Sequence, residues 1–183
     1  NKTFNMNGLR RPNYLCLDRA GNIYLTETGN AGVSLYSSQG KLIRRFGHQA
    51  EDHVPQDAVV RSPKGVSLDE SSGQVFVVDS EQNRVVAFDT STGAYIRTIG
   101  KYGTGKQTFW VPQDICISCC DSPTPMLFVT EKLNRRVQVL SLRGTFIRFI
   151  PSSKGPHDRS AVAAGAGLTM PISPRAISVC PVA

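Results

Sequence analysis

No apolar run in this chain approaches the roughly 20 residues a helix needs to cross a bilayer; the longest are strand-sized. Membrane insertion is therefore not expected. Histidine is scarce, and His48, His53 and His157 all lie in polar connections, which leaves no imidazole cluster for metal binding or proton transfer. The five cysteines, Cys16, Cys116, Cys119, Cys120 and Cys180, are odd in number and lack framework spacing. Free thiols in a reducing compartment follow, and with them a cytoplasmic location. Cys116 and Cys119 have the two-residue gap of half a zinc site, but no second pair stands at ligand spacing. No metal or other cofactor is expected. Helical periodicity is missing as well: outside "SAVAAGAGL" no segment sustains an apolar face at 3.6-residue spacing. Solenoids of helix pairs are excluded.

What is present is a repeat. The segments "TGNAGVSLYSSQGKLIRRFG", "EQNRVVAFDTSTGAYIRTIG" and "KLNRRVQVLSLRGTFIRFI" share one plan of alternating strand, turn glycine and second alternating strand. Val33/Leu35, Val85/Ala87 and Val137/Val139 are equivalent, as are Gly40, Gly93 and Gly144. The second strands carry Leu42-Ile43-Arg44, Tyr95-Ile96-Arg97 and Phe146-Ile147-Arg148, a large apolar residue, isoleucine and arginine each time. Upstream, Pro12, Pro63 and Pro112 each open a short strand, and Pro174 begins a fourth. Proline suits a strand entrance because it donates nothing to the ladder. Between entrance and hairpin lies another apolar strand ending in an acid, Glu27, Asp79 or Glu131. Each unit is thus four short strands. The period of roughly 50 residues lies in the range of β-propeller blades.

The order of proline, alternating strand, "GNIYLTE" or "GQVFVVD", "NRV" or "NRRVQVL", turn glycine and "FIRFI" resembles the NHL repeat family. The linker "GKYGTGKQTFWVP" is similar to that family's glycine-rich, phenylalanine-containing approach to the next repeat. The resemblance implies an all-β propeller with blades near 9–47, 62–100 and 111–150, the start of a next at 171–183, and connections or insertions at 48–61 and 151–170. Three blades and a strand do not close a ring, which in most members of this family has six; the sequence is accordingly read as part of a larger propeller. Two departures stand out. Gly32 replaces the arginine of Arg84 and Arg136, and "SCCDSPTPM" is inserted in the third unit.

As to function, the resemblance implies a non-catalytic scaffold for other proteins, within a larger assembly or as the recognition domain of a multidomain protein such as a ubiquitin ligase. The alternative is RNA binding. A metal-dependent lyase is more distant, because none of the metal-binding histidines of related peptide-amidating lyases is matched here. "GKYGTGKQ" nearly spells a phosphate-binding loop, yet Gln107 stands where Ser or Thr would hold magnesium and a strand follows instead of a helix. Its glycines read as turn residues.

The acids Glu27, Asp79 and Glu131 recur once per blade, as structural residues do, and are expected to satisfy backbone N–H groups or arginines; Arg84 and Arg136 are expected to pair with them. The net charge of +7 admits an anionic partner. Arg44, Arg97 and Arg148, with Arg45 nearby, are expected to form a belt on the outer strands, with Ile43, Ile96 and Ile147 turned into the blade core. Its plain role is a solvated edge that discourages strand addition; its functional role is docking. Tyr102 and Trp110 with Lys101 and Lys106 form the best aromatic and basic patch, while Phe109 reads as a plug between blades.

Overall fold

The computed structural model describes residues 8–48, 55–118 and 124–151. The expected start of a fourth unit, Cys119, Cys120, Cys180, His53 and His157 lie outside them. Among the described residues, twelve strands form three four-stranded sheets. The first contains β1 (Pro12–Leu17), β2 (Ile23–Glu27), β3 (Gly32–Tyr36) and β4 (Leu42–Phe46); the second β5 (Pro63–Asp69), β6 (Gln74–Asp79), β7 (Arg84–Asp89) and β8 (Tyr95–Ile99); the third β9 (Pro112–Ile117), β10 (Met126–Glu131), β11 (Arg136–Ser141) and β12 (Phe146–Pro151). Each is an antiparallel meander in chain order. Neighbouring strands run in opposite directions because tight turns join them. No helix among the described residues is long and apolar enough to span a membrane.

The sheets are stacked face to face through β1, β5 and β9, with the second in the middle. One apolar layer lies between the first two sheets, with Tyr24, Val33, Leu35 and Phe46 meeting Val66, Val75, Val77 and Phe88. A second layer lies between the other two, with Phe76, Val78, Val85 and Ala87 meeting Ile115, Leu127, Val129 and Leu140. The middle sheet is covered on both faces, which is why "VFVV" is continuously apolar rather than alternating. Every sheet has a register shift just inside its proline-led strand and another between its third and fourth strands. Such bulges add twist, and their repetition gives three sheets of one shape.

Between the sheets the connections act as packing. Phe109 is fully buried in the second layer. It is seated against Gly100, whose φ of 80° suits glycine and whose missing Cβ leaves room for the ring; a Cβ there would stand 2.3 Å from the phenyl edge. The connection after β4 does likewise: it forms a 3-10 turn at Gln56–Ala58, and Ala58 and Val60 enter the first layer.

One expectation is reversed. Ile43, Ile96 and Ile147 are 51%, 39% and 45% exposed and are not core. The register explains it, since Arg44 stands opposite Leu35, Arg97 opposite Ala87 and Arg148 opposite Val139. Cross-strand partners share a face, so Arg44 and Arg97 lie on the side of their sheet that meets the next one, and Arg148 holds the same position in the third sheet.

Candidate functional site

At one end of the sheets the β2–β3, β6–β7 and β10–β11 turns gather around the repeated acids. The register sets Glu27 opposite Gly32, Asp79 opposite Arg84 and Glu131 opposite Arg136. All three carboxylates are completely buried. A buried charge is tolerated only when hydrogen-bonded or paired, and each of these accepts an N–H from the residue two before its strand-opening proline: Arg10 to Glu27 (2.7 Å), Arg61 to Asp79 (3.2 Å) and Trp110 to Glu131 (3.2 Å). Asp79 also accepts Ser62 N–H (3.1 Å).

Side-chain partners differ between the sheets. Arg136 donates to Glu131 at 2.6 Å, reaches the carbonyls of Thr104, Gly105 and Thr108, and lies 3.9 Å over the Phe149 ring. Arg84 stands 3.5 Å from Asp79 and 3.7 Å from Asp57, and donates to the Val59 carbonyl at 2.7 Å. In the first sheet Gly32 has no such side chain. Ser34 and Asn30 donate to Glu27 instead, and Arg45 joins the network by donating to the Ser34 hydroxyl at 3.3 Å. A Cβ at Gly32 would stand 2.8 Å from the Phe46 carbonyl oxygen, so the backbone itself closes that space.

With the carboxylates turned inward, this end displays cations. Arg10, Arg11, Arg61, Lys132 and Arg135 are exposed, against the exposed acids Glu81 and Asp57. Among them sits an apolar group. Tyr102 is 62% exposed, Leu133 47% and Trp110 36%, and the two rings meet edge to face at 6.0 Å and 83°. Lys132, Leu133 and Arg135 escape a reading of composition and strand pattern; the repeat carried their signal, because the place of Leu133 is held by Gly29 and Glu81 in the other units.

The candidate cations do not form one patch. Lys101 and Lys106 line a groove of about 400 Å³ with Arg143, Thr98 and Thr108, and Lys106 stands 5.2 Å over the Phe146 ring. Arg44 donates to the Ser91 carbonyl (2.5 Å), and Arg97 to the Leu142 carbonyl while lying 5.6 Å over the Phe76 ring. Each thereby ties its sheet to a turn of the next. Burial, and then the neighbouring charge of Arg143, lowers the pKa of Arg97. Arg45 and Arg148 are exposed. Far from this end, burial and then the charge of Asp18 push the Cys16 thiol up to about 12. Cys16 and Cys116 are not joined in a disulfide, and among the described residues no three His, Cys, Asp or Glu side chains are grouped to hold a metal.

Residues 61–88, most of the middle sheet and its entrance, match the NHL repeat. Peptidyl-glycine alpha-amidating monooxygenase A of Xenopus laevis is 27% identical over 82 residues, which are 45% of this chain and 9% of that protein. The chain is similar in fold to hydrazine synthase of Kuenenia stuttgartiensis, with a TM-score of 0.63 at 16% identity over 95% of this chain and 40% of that one. A chain of the nidogen/laminin complex gives 0.56 at 17% identity, over 79% and 49%. The chain thus spans less than half of each of these proteins. Residues 61–88 thus match an NHL repeat, and the three stacked four-stranded meanders have the fold of β-propeller blades.

Proposed function

We propose that this chain is a binding scaffold for other proteins and that the end built from the β2–β3, β6–β7 and β10–β11 turns is its docking face. Propellers of this kind commonly serve as binding scaffolds, with function carried by the displayed surface and not by the fold. One observation carries the choice of face: the buried acids hold Arg10, Arg61 and Trp110 at equivalent places, so a rigid framework presents three large exposed side chains on one end. Tryptophan, tyrosine and arginine are the residues that dominate protein interfaces. A role within a larger assembly, or as the recognition domain of a multidomain protein such as a ubiquitin ligase, accords with this reading. The likeness to a chain of the nidogen/laminin complex supports protein partners without naming one.

RNA is the second reading, favoured by the cations Arg10, Arg11, Arg61, Lys132 and Arg135 on the same end. The two readings separate by crosslinking. A photoreactive phenylalanine analogue placed at Tyr102, and as a control at Ser91 in the β7–β8 turn, is irradiated in extract. Polypeptide adducts from Tyr102 that resist nuclease are expected. Nuclease-sensitive adducts would favour RNA, and polypeptide adducts from Ser91 alone would move the docking face to the other end.

A further inference from the structure

The apolar group on this face has a shape and a charge setting that specify a partner more narrowly. Trp110 is held at its backbone on both sides, its N–H given to Glu131 and its carbonyl accepting Leu133 N–H at 3.3 Å. Tyr102 is fixed by the short bridge to Phe109, in which Phe109 N–H reaches the Lys101 carbonyl at 2.8 Å and Gly103 N–H the Phe109 carbonyl at 2.9 Å. Asn134 ties the turn to the linker through the Gly103 carbonyl at 3.0 Å. Val111, next to Trp110, has φ of 52°, a left-handed conformation rare for a β-branched residue. It is kept there by Asn83, which accepts its N–H at 2.8 Å, and by Lys132 N–H, given to its carbonyl at 3.1 Å. Arg11, at the equivalent place in the first unit, has φ of 51°, so this conformation belongs to the repeat and fixes the approach of the linker to β9.

The consequence is that Tyr102, Trp110 and Leu133 are exposed and yet preorganised. An apolar cluster of large side chains is raised in free energy by contact with water and lowered when covered, and rigid rings lose little freedom on binding. The edge-to-face rings with an aliphatic neighbour offer an apolar contact of the size of a single side chain. They are not the parallel, open ring faces on which successive bases stack. Lys132 and Arg135 flank Leu133 on its own turn and are exposed, while the acid of that turn, Glu131, is buried and paired. The charge left for a partner here is positive.

Building on the scaffold reading, we propose that Tyr102, Trp110 and Leu133, with Lys132 and Arg135 beside them, form a docking notch for an acidic polypeptide segment that inserts one large apolar side chain. The apolar anchor supplies affinity. The acidic flanks supply orientation and rate of encounter, as complementary charge does at interfaces.

Trp110 is the chain's one tryptophan, so its fluorescence reports on the notch alone. The test titrates the chain with dodecapeptides of Asp and Glu carrying a central Leu, Phe or Trp, the Trp peptides being followed by a fluorescein label. Controls are the same peptides with the anchor changed to Ser, with the acids changed to Gln, and a uridine dodecamer. The expected result is a saturable blue shift of Trp110 with the anchored Leu or Phe peptides, weakened at least tenfold by Leu133→Ser or by loss of the anchor. Lys132→Gln with Arg135→Gln, surface changes that leave the melt unaltered, should weaken binding and flatten its salt dependence. If the uridine dodecamer binds more tightly than every peptide, the notch reads nucleic acid and the proposal is wrong. If Tyr102 crosslinks to polypeptide but neither the anchor nor Leu133→Ser affects peptide binding, this proposal fails while the scaffold reading stands.

Discussion

Asp89 shows how one surface carboxylate can serve a joint between sheets. It accepts the N–H and hydroxyl groups of both Ser91 and Thr92, and these bonds hold its pKa down at about 2. The turn so shaped presents the Ser91 carbonyl to Arg44 of the preceding sheet. Because the folded pKa is depressed, the contribution is fully present above the ordinary carboxylate value of about 3.8 and disappears as pH falls through about 2. Asp89→Asn should therefore lower the urea midpoint by a constant amount from pH 7 to about pH 4.5, and the gap to wild type should narrow below that. A gap of the same size at pH 3 and pH 7 would mean that the charge is not what the turn uses. The pairing of acid with arginine was readable from the sequence, since an acid and an arginine five residues on recur in two of the three units. The rearrangement in the first unit was not, because Arg45 substitutes for the missing arginine from a different strand through Ser34.

Elements repeat more faithfully than side chains do. The four-strand plan, the proline entrances and the turn glycines were legible because each follows from local chemistry: period-2 alternation, the missing proline donor and left-handed turn positions. The orientation of β4, β8 and β12 was not legible. Alternation separates the two faces of a strand without saying which face is inward, and the bulges at Leu35/Tyr36, Ala87/Phe88 and Val139/Leu140 set that phase. Close approach of elements is equally hidden in sequence. In β5, Gly65 lies against β9 so tightly that a Cβ would stand 2.3 Å from an Asp114 carboxylate oxygen and 2.6 Å from Asp114 Cα and Ile115 N. Two of those atoms are backbone and cannot swing aside. Gly65→Ala should cost about 1–3 kcal/mol, the range for overpacking, seen as a lower urea midpoint at unchanged slope. A neutral effect would show that the second and third sheets are free to separate locally.

At the scale of the molecule, three like sheets share two apolar layers, and their buried acids fix what one end displays. In each unit the acid holds the backbone two residues before the proline and thus aims Arg10, Arg61 or Trp110 outward. The opposite end is mixed in charge, with Asp18, Glu70 and Asp89 beside Arg19, Lys41 and Arg143, so the two ends are electrostatically distinct. Sequence alone showed Trp110 as part of a basic linker; only the fold shows it as the aromatic counterpart of two arginines. The central claim is that Glu131 governs that display, and amide hydrogen exchange at Trp110 in Glu131→Gln tests it most directly. Loss of a charge-assisted bond, typically worth about 1.5–3 kcal/mol, should speed exchange at Trp110 about tenfold or more, with Arg10, held by Glu27, unchanged. Equal protection of Trp110 in wild type and variant would contradict the account.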